Sequence, residues 1–223
     1  MHREFKAVFL FVFISYGLSA SSQANSAENP QVTVSVYDYA QLPRDTLTRA
    51  EQQATTIFSH VGLDITWLNC TQTDGGSGST ACNEMDGPIH LILRITSNLA
   101  SSTKDTAFGI AHLASDGTGK YGDVFWKRVR DLQANSKIDV VFILANVMAH
   151  EMGHLLLGSN AHAISGIMRA HWESDELRRI GMGTLQFLPE QGRRMHARVT
   201  QQRASLMSGG GRAGDSTANL LAK

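Results

Sequence analysis

Residues 150–162 read HEMGHLLLGSNAH, and residues 165–168 read SGIM. Two histidines four residues apart lie on one face of a helix, so His150 and His154 can present imidazole nitrogens to the same point. Glu151 then lies beside that point without being a ligand. A hydrolytic zinc site needs neutral nitrogen ligands, an open position that keeps a water, and a carboxylate that takes the water's proton. His-Glu-x-x-His in a helix therefore predicts a catalytic zinc centre that binds Zn²⁺.

The sequence around the motif favours such a helix. Val140 to Leu157 is an apolar run with no helix-breaking residue except Gly153, and Gly158 follows as a stop signal. Ser136-Lys-Ile-Asp has the Ser-x-x-Asp form of a helix start. We expect a long and largely buried helix that carries both histidines.

A third protein ligand is needed to hold a catalytic metal tightly. The stretch resembles the metzincin metalloproteases, whose pattern is His-Glu-x-x-His-x-x-Gly-x-x-His followed by a methionine-containing turn. Gly158 comes one residue later than that pattern, and His162 comes two residues later. In strict register Leu157 and Asn160 would take those places, but leucine suits a sharp turn poorly and asparagine is a poor zinc ligand. We therefore predict a slightly longer helix and loop that deliver His162 as the third ligand.

Two other residues compete for the third ligand position. Eighteen residues separate His154 from Glu173, a spacing that resembles the gluzincins, in which a second helix supplies a glutamate. Glu173 precedes Ser174, the expected cap of its helix, whereas gluzincin geometry requires the glutamate inside the helix. His171 is the other alternative.

The metzincin resemblance implies roles for two further segments. A methionine lies under the three histidines of metzincins as a hydrophobic floor, and Met168 is the candidate here, with core filling as the alternative. Metzincins also have an antiparallel edge strand along the cleft, for which residues 108–113 are the candidate. Such a strand pairs with an extended peptide, which implies substrate contacts from Gly109, Ile110 and Ala111. His112 in this strand faces either the cleft or solvent.

Strand and helix patterns alternate along the rest of the chain. Strands are predicted at 31–39, 63–68, 89–96, 108–113 and 121–126, and helices at 47–61, from 174 and at 189–206. The first strand, helix and strand favour parallel pairing, and the last two strands form a hairpin. With the resemblance, this predicts an α+β or α/β metzincin-like zincin fold. Its mixed twisted sheet has an antiparallel edge strand and packs on two long helices, one of them the active-site helix, beside a small helical C-terminal subdomain. Arginines at 193, 194, 198 and 203 are expected on a solvated helix face, with a docking surface as the alternative.

The N-terminal residues predict export. A short charged start precedes the apolar run 7–18, and small residues surround position 24, where a signal peptidase would cut. We predict a signal peptide over 1–24, a single catalytic domain over 25–207 and a flexible tail over 208–223. The alternative is a membrane anchor, which the short apolar run disfavours. The protein is then secreted or periplasmic, with no stable membrane insertion after cleavage.

Export bears on the two cysteines, Cys70 and Cys82. They flank a loop rich in glycine and serine, and in an oxidising compartment we expect them to form a disulfide. Two free buried thiols are the alternative.

Charge and motif together predict the function. Twenty basic and twenty acidic residues cancel, which gives no reason to expect a nucleic acid partner. We predict an exported zinc-dependent metallopeptidase that acts on peptides or proteins, with Glu151 as general base. The alternatives are a zinc hydrolase of a non-protein amide and a non-catalytic exported zinc-binding protein.

Overall fold

The computed structural model of the 223-residue chain describes residues 29–70, 82, 89–97 and 107–209. The predicted signal peptide, the loop at 71–81 and tail residues 210–223 lie outside the described residues.

Ten helices and strands are found in the described part of the chain. Their order is β1 (Gln31–Asp38), α1 (Arg44–Ser59), β2 (Asp64–Asn69), β3 (His90–Thr96), β4 (Gly109–His112), β5 (Tyr121–Phe125), α2 (Trp126–Ser136), α3 (Val140–Leu157), α4 (Ser174–Gly181) and α5 (Pro189–Gly209).

The strands form one mixed sheet in the order β2-β1-β3-β5-β4. The first four strands in this order pair in parallel, and β4 pairs antiparallel with β5, with Gly109 opposite Val124 and His112 opposite Tyr121. The predicted mixed sheet with an antiparallel edge strand is therefore confirmed. Because β4 is the last strand, one of its backbone edges stays free of the sheet.

Helices α1 and α3 supply the core that covers the sheet. Helix α1 buries Ala50, Ala54, Ile57 and Phe58 on one face, and these side chains pack with the buried residues of α3. Helix α3 has the length and the mean hydropathy, 1.6, of a membrane span, but 83% of it is buried inside the fold. A helix that is apolar on all sides suits such a central position. Helix α3 is thus the core helix that the sequence predicted.

The segment between β5 and α3 differs from the sequence prediction. Trp126 begins α2 instead of ending a strand, and no helix was expected over 126–136. Its apolar residues Trp126, Val129 and Leu132 form a narrow face, on which Val129 is buried and the other two are partly buried against the core, so the helical signal in the sequence is short. Ser136 ends α2, and Asp139 is the residue that caps α3, since its carboxylate accepts a hydrogen bond from Val141 N at 3.0 Å.

Two boundaries near the C-terminus also differ. The N-cap of α4 is Glu173 instead of Ser174, because Glu173 and Glu176 form a reciprocal capping box. Helix α5 continues through Ser208 to Gly209, so Ser208 lies in a helix and not in the predicted tail.

A disulfide joins Cys70, just after β2, to Cys82, with the two Cα atoms 5.7 Å apart. This pairing confirms the prediction made from the two cysteines. It closes the loop whose residues 71–81 lie outside the described part of the chain.

Candidate metal centre

Three histidines meet beside the sheet. One ring nitrogen from each of His150, His154 and His162 lies within 4.8 Å of the others. The ring centroids are 4.7 Å apart for His150 and His154, 5.4 Å for His150 and His162, and 4.9 Å for His154 and His162. The late position of His162 in the sequence therefore does not keep its ring away from the other two.

A reversal of the chain after α3 brings His162 to this position. Gly158 adopts a left-handed conformation with φ of 61°, which ends the helix one residue later than the strict metzincin pattern. The amide of Ser159 then donates to His154 O at 3.2 Å. The longer helix and loop that the sequence predicted are both present.

Backbone carbonyls orient the two helical histidines. His150 Nδ1 lies 2.7 Å from Ile167 O, and His154 Nδ1 lies 2.7 Å from Ser159 O. A carbonyl oxygen only accepts hydrogen bonds, so the proton of each neutral ring is on Nδ1 and each Nε2 carries a lone pair. Metal-binding histidines typically donate the N–H of the ring nitrogen that does not bind the metal to an acceptor such as a backbone carbonyl, as both rings do here.

The two lone pairs point toward the same place. His150 Nε2 and His154 Nε2 are only 3.1 Å apart. Burial, then the neighbouring His154, lowers the pKa of His150 to about 3, and burial also lowers the pKa of His154. Both rings are therefore neutral near pH 7, and two facing lone pairs are stabilised by a shared cation. Together with the ring of His162, these two rings form a three-imidazole donor set that fits a divalent transition metal such as Zn²⁺.

Glu151 is buried next to the three histidines. The residue is 4% exposed, and a Cβ added to Gly109 would lie 2.6 Å from its Cγ and Oε1. Burial, reinforced by the negative charge of Asp123, raises the pKa of Glu151 to about 8. A divalent cation beside the carboxyl would favour its ionised form. Glu151 thus lines the same cleft as the three histidines while remaining outside the ligand cluster.

A cleft of about 370 Å³ opens over the triad. The predicted contact residues Gly109, Ile110 and Ala111 line this cleft, and so do Asn160 and residues 169–172, which include His171. Two of the lining residues, Phe108 and Trp172, stack with ring centroids 5.9 Å apart. Hence the edge strand borders the same space as the three histidines.

Neither alternative third ligand, Glu173 or His171, belongs to the histidine cluster. Glu173 caps α4, forms an ion pair with Arg169 and has a side chain that is 69% exposed. His171 lines the cleft but is not a member of the cluster. His112 points away from the cleft, with Nε2 2.8 Å from Asp123 Oδ2 and about half of its side chain exposed.

Met168 is fully buried below α3. A Cβ on Gly153 would lie 2.6 Å from Met168 Sδ, so the methionine packs against the helix one residue before His154. The preceding carbonyl, Ile167 O, accepts hydrogen bonds from His150 and from Trp172 Nε1, the latter at 3.1 Å. The sequence did not predict the roles of Ile167 and Ser159, because a backbone carbonyl acceptor leaves no trace in residue identity. It did not predict Trp172 either, because only the fold brings its indole to Ile167 O.

Three solved structures are similar to this chain at low sequence identity. The archaemetzincin of Methanopyrus kandleri aligns with 77% of this chain and 97% of its own, with a TM-score of 0.50 and 14% identity. The zinc-dependent peptidase of Methanocorpusculum labreanum aligns with 73% of this chain and 99% of its own, with a TM-score of 0.49 and 13% identity. Metalloproteinase-II of Bacteroides fragilis aligns with 78% of this chain and 55% of its own, with a TM-score of 0.46 and 12% identity. No protein-family model and no curated protein matches the sequence.

These similarities bear on the architecture of the chain. The first of them establishes an archaemetzincin-like fold, and it confirms the metzincin-like fold expected from the sequence. The class that fold and site define is thus a metzincin-like α/β domain with a three-histidine cluster fit for a divalent metal.

Proposed function

We propose that this chain is an exported zinc-dependent metallopeptidase. The observation that carries the proposal is the convergence of His150, His154 and His162 beside the buried carboxyl of Glu151. The fold that the chain shares with the archaemetzincin of Methanopyrus kandleri agrees with this function.

His150, His154 and His162 would hold the zinc ion, and a zinc ion bound there would act as a Lewis acid toward a water molecule and the carbonyl of the substrate. Glu151 accepts the proton of the attacking water and passes it to the nitrogen of the leaving group. The carbonyls of Ile167 and Ser159 keep the Nδ1 protons of His150 and His154 in place throughout, so both rings present the same nitrogen to the metal.

The edge strand supplies the binding surface for a peptide. The carbonyl of Phe108 accepts a hydrogen bond from the amide of Phe125 at 2.8 Å, so the backbone of Phe108 faces β5. Backbone direction alternates along an antiparallel strand, so Gly109 and Ala111 turn their N–H and C=O groups toward the cleft. An extended substrate pairs with these groups and lies across Glu151. Backbone pairing places few demands on the side chains of the substrate.

The disulfide supports the exported location. Disulfides form and persist in oxidising compartments, so the Cys70–Cys82 bridge agrees with a protein that leaves the cytoplasm. A secreted or periplasmic protein that begins near residue 25 agrees with the apolar N-terminal segment.

The proposal is tested by metal analysis and a peptide-library digest of the mature protein, with and without a chelator. We expect one zinc per chain, cleavage of internal peptide bonds, and loss of cleavage when the metal is removed. Glu151→Gln should keep its zinc and lose activity by at least about 100-fold. Zinc binding with no cleavage of any peptide would contradict the peptidase function and favour a non-protein amide substrate or a binding role.

A further inference from the structure

Arg198 of α5 reaches the point where the active-site helix ends. Its guanidinium donates to Gly117 O at 2.8 Å and to Leu157 O at 3.4 Å. Gly117 belongs to the turn between β4 and β5, and Leu157 is the last residue of α3. One partly buried cation therefore joins the edge hairpin, the active-site helix and the C-terminal helix. The prediction that Arg198 lies on a solvated helix face is therefore wrong.

The three segments are in direct contact around this cation. A Cβ on Gly158 would overlap the Arg198 guanidinium, and a Cβ on Gly117 would lie 2.5 Å from Gly158 O. Both glycines have positive φ, 61° and 77° respectively. No side chain larger than hydrogen fits at either position without moving the junction.

The charge of Arg198 suits its position. The last carbonyls of a helix lack intrahelical donors and carry partial negative charge, which a cation stabilises. Leu157 O is one of these carbonyls, and Arg198 supplies the missing donor. The planar guanidinium can contact two carbonyls at once, which an ammonium on a lysine does less well.

The same junction is where the metal cluster is assembled. Gly158 is the first residue of the chain reversal, Ser159 O holds His154 at 2.7 Å, and His162 lies three residues further on. If the end of α3 moved relative to the hairpin, both the Ser159 carbonyl and the His162 ring would move with it. His150 is held independently, through Ile167 O.

We infer that Arg198 is a positioning residue that fixes the reversal after Gly158, and so holds His162 at the metal cluster. The inference rests on the proposed function in requiring that the cluster bind zinc. It also gives a physical reason why a spacing two residues longer than the metzincin pattern still delivers the third histidine.

The test is a double-mutant cycle in zinc affinity. The full mature chain, Arg198→Ala, His162→Ala and the double variant are titrated with zinc in competition with a chromogenic chelator. We expect Arg198→Ala to weaken zinc binding by about 10-fold, in the range found for residues that orient metal ligands. In the double variant the loss should equal that of His162→Ala alone, because a missing ligand no longer depends on its positioning residue.

Two further variants separate positioning from folding. Arg194→Ala is the matched control, because Arg194 is an exposed arginine on the same helix and should leave zinc affinity unchanged. Gly117→Ala disturbs the junction from the hairpin side and should reproduce the loss. Thermal melting of each metal-free variant checks its fold, so that a loss of affinity in a folded protein is attributed to the site.

Parent-like zinc affinity in folded Arg198→Ala would overturn the inference, as would losses that add in the double variant. These outcomes would leave the proposed function intact, provided that His162→Ala alone weakens zinc binding. If His162→Ala bound zinc like the parent, both the ligand assignment and the role of Arg198 would be overturned.

Discussion

At the scale of single residues, the site depends on which nitrogen of each histidine carries its proton. The carbonyls of Ile167 and Ser159 decide this for His150 and His154. Residue type and spacing predicted His150 and His154, because a metal requires two such side chains on one face of a helix. His162 was predicted from the resemblance to the metzincin pattern, from which its spacing departs by two residues. The two carbonyls could not be predicted, since every residue has a carbonyl and only the folded chain shows which ones face a ring.

Because the carboxyl of Glu151 is buried, the free energy of unfolding of the metal-free protein should depend on pH. Its pKa rises from 4.5 in the unfolded chain to about 8 in the folded one, so the folded state holds the proton more tightly. Its contribution to stability is full below pH 4.5 and is lost as the pH rises toward 8. Relative to the parent, metal-free Glu151→Gln should therefore gain up to a few kcal/mol in free energy of unfolding between pH 4.5 and 8.

Urea unfolding of both metal-free proteins across this pH range measures the difference. The comparison isolates Glu151 because the histidines are common to both proteins. A difference that stays constant with pH would show that Glu151 titrates normally in the folded chain.

At the scale of helices and strands, β4 and α3 must approach closely for a peptide on the edge strand to meet Glu151. Gly109 makes this approach possible, because its missing side chain leaves the space that Glu151 fills. The sequence predicted the strand as an edge and the helix from 140 to 157, since an apolar run and a stop signal define the helix. It did not predict α2, because the narrow apolar face of Trp126, Val129 and Leu132 gives only a short helical pattern among polar residues.

Gly109→Ala should displace Glu151 without removing a metal ligand. The added Cβ would also lie 2.5 Å from Asp123 O, so the strand cannot accommodate it without shifting. We expect zinc to be retained while kcat falls by at least about 10-fold, since a small displacement of a proton acceptor has a large kinetic cost. Peptide hydrolysis and metal content of the same sample measure both effects.

Gly181→Ala is the control for an added methyl group. Its Cβ would meet Ile138 at 3.6 Å, an ordinary contact, and its position at the end of α4 is apart from the cleft lining. Its kcat should match that of the parent. Equal activity in Gly109→Ala would contradict the role given to this close approach.

At the scale of the whole molecule, the fold brings together segments that are far apart in sequence. The turn at 117, the helix end at 157 and the arginine at 198 meet at one point. Hydrophobic patterning predicted the sheet and the core helix, because both bury apolar surface with a recognisable period. It could not predict the Arg198 junction, since an arginine on a polar helix has the same pattern whether it faces solvent or a helix end.

The disulfide should stabilise this whole fold. Cys70 and Cys82 are 12 positions apart, and closing a loop of that length lowers the entropy of the unfolded chain. The double variant Cys70→Ala, Cys82→Ala should lose about 2–3 kcal/mol in free energy of unfolding while keeping its zinc. Chemical denaturation with and without a reductant tests this, and a reductant should not affect the double variant. An unchanged free energy of unfolding would show that the bridge does not constrain the chain.

The three-histidine centre is tested most directly by the zinc content of two single variants, His162→Ala and Glu173→Ala, after dialysis against a weak chelator. We expect His162→Ala to lose its zinc, because only two ligands remain, and Glu173→Ala to retain one zinc per chain. Loss of zinc from Glu173→Ala with full retention in His162→Ala would contradict the three-histidine centre.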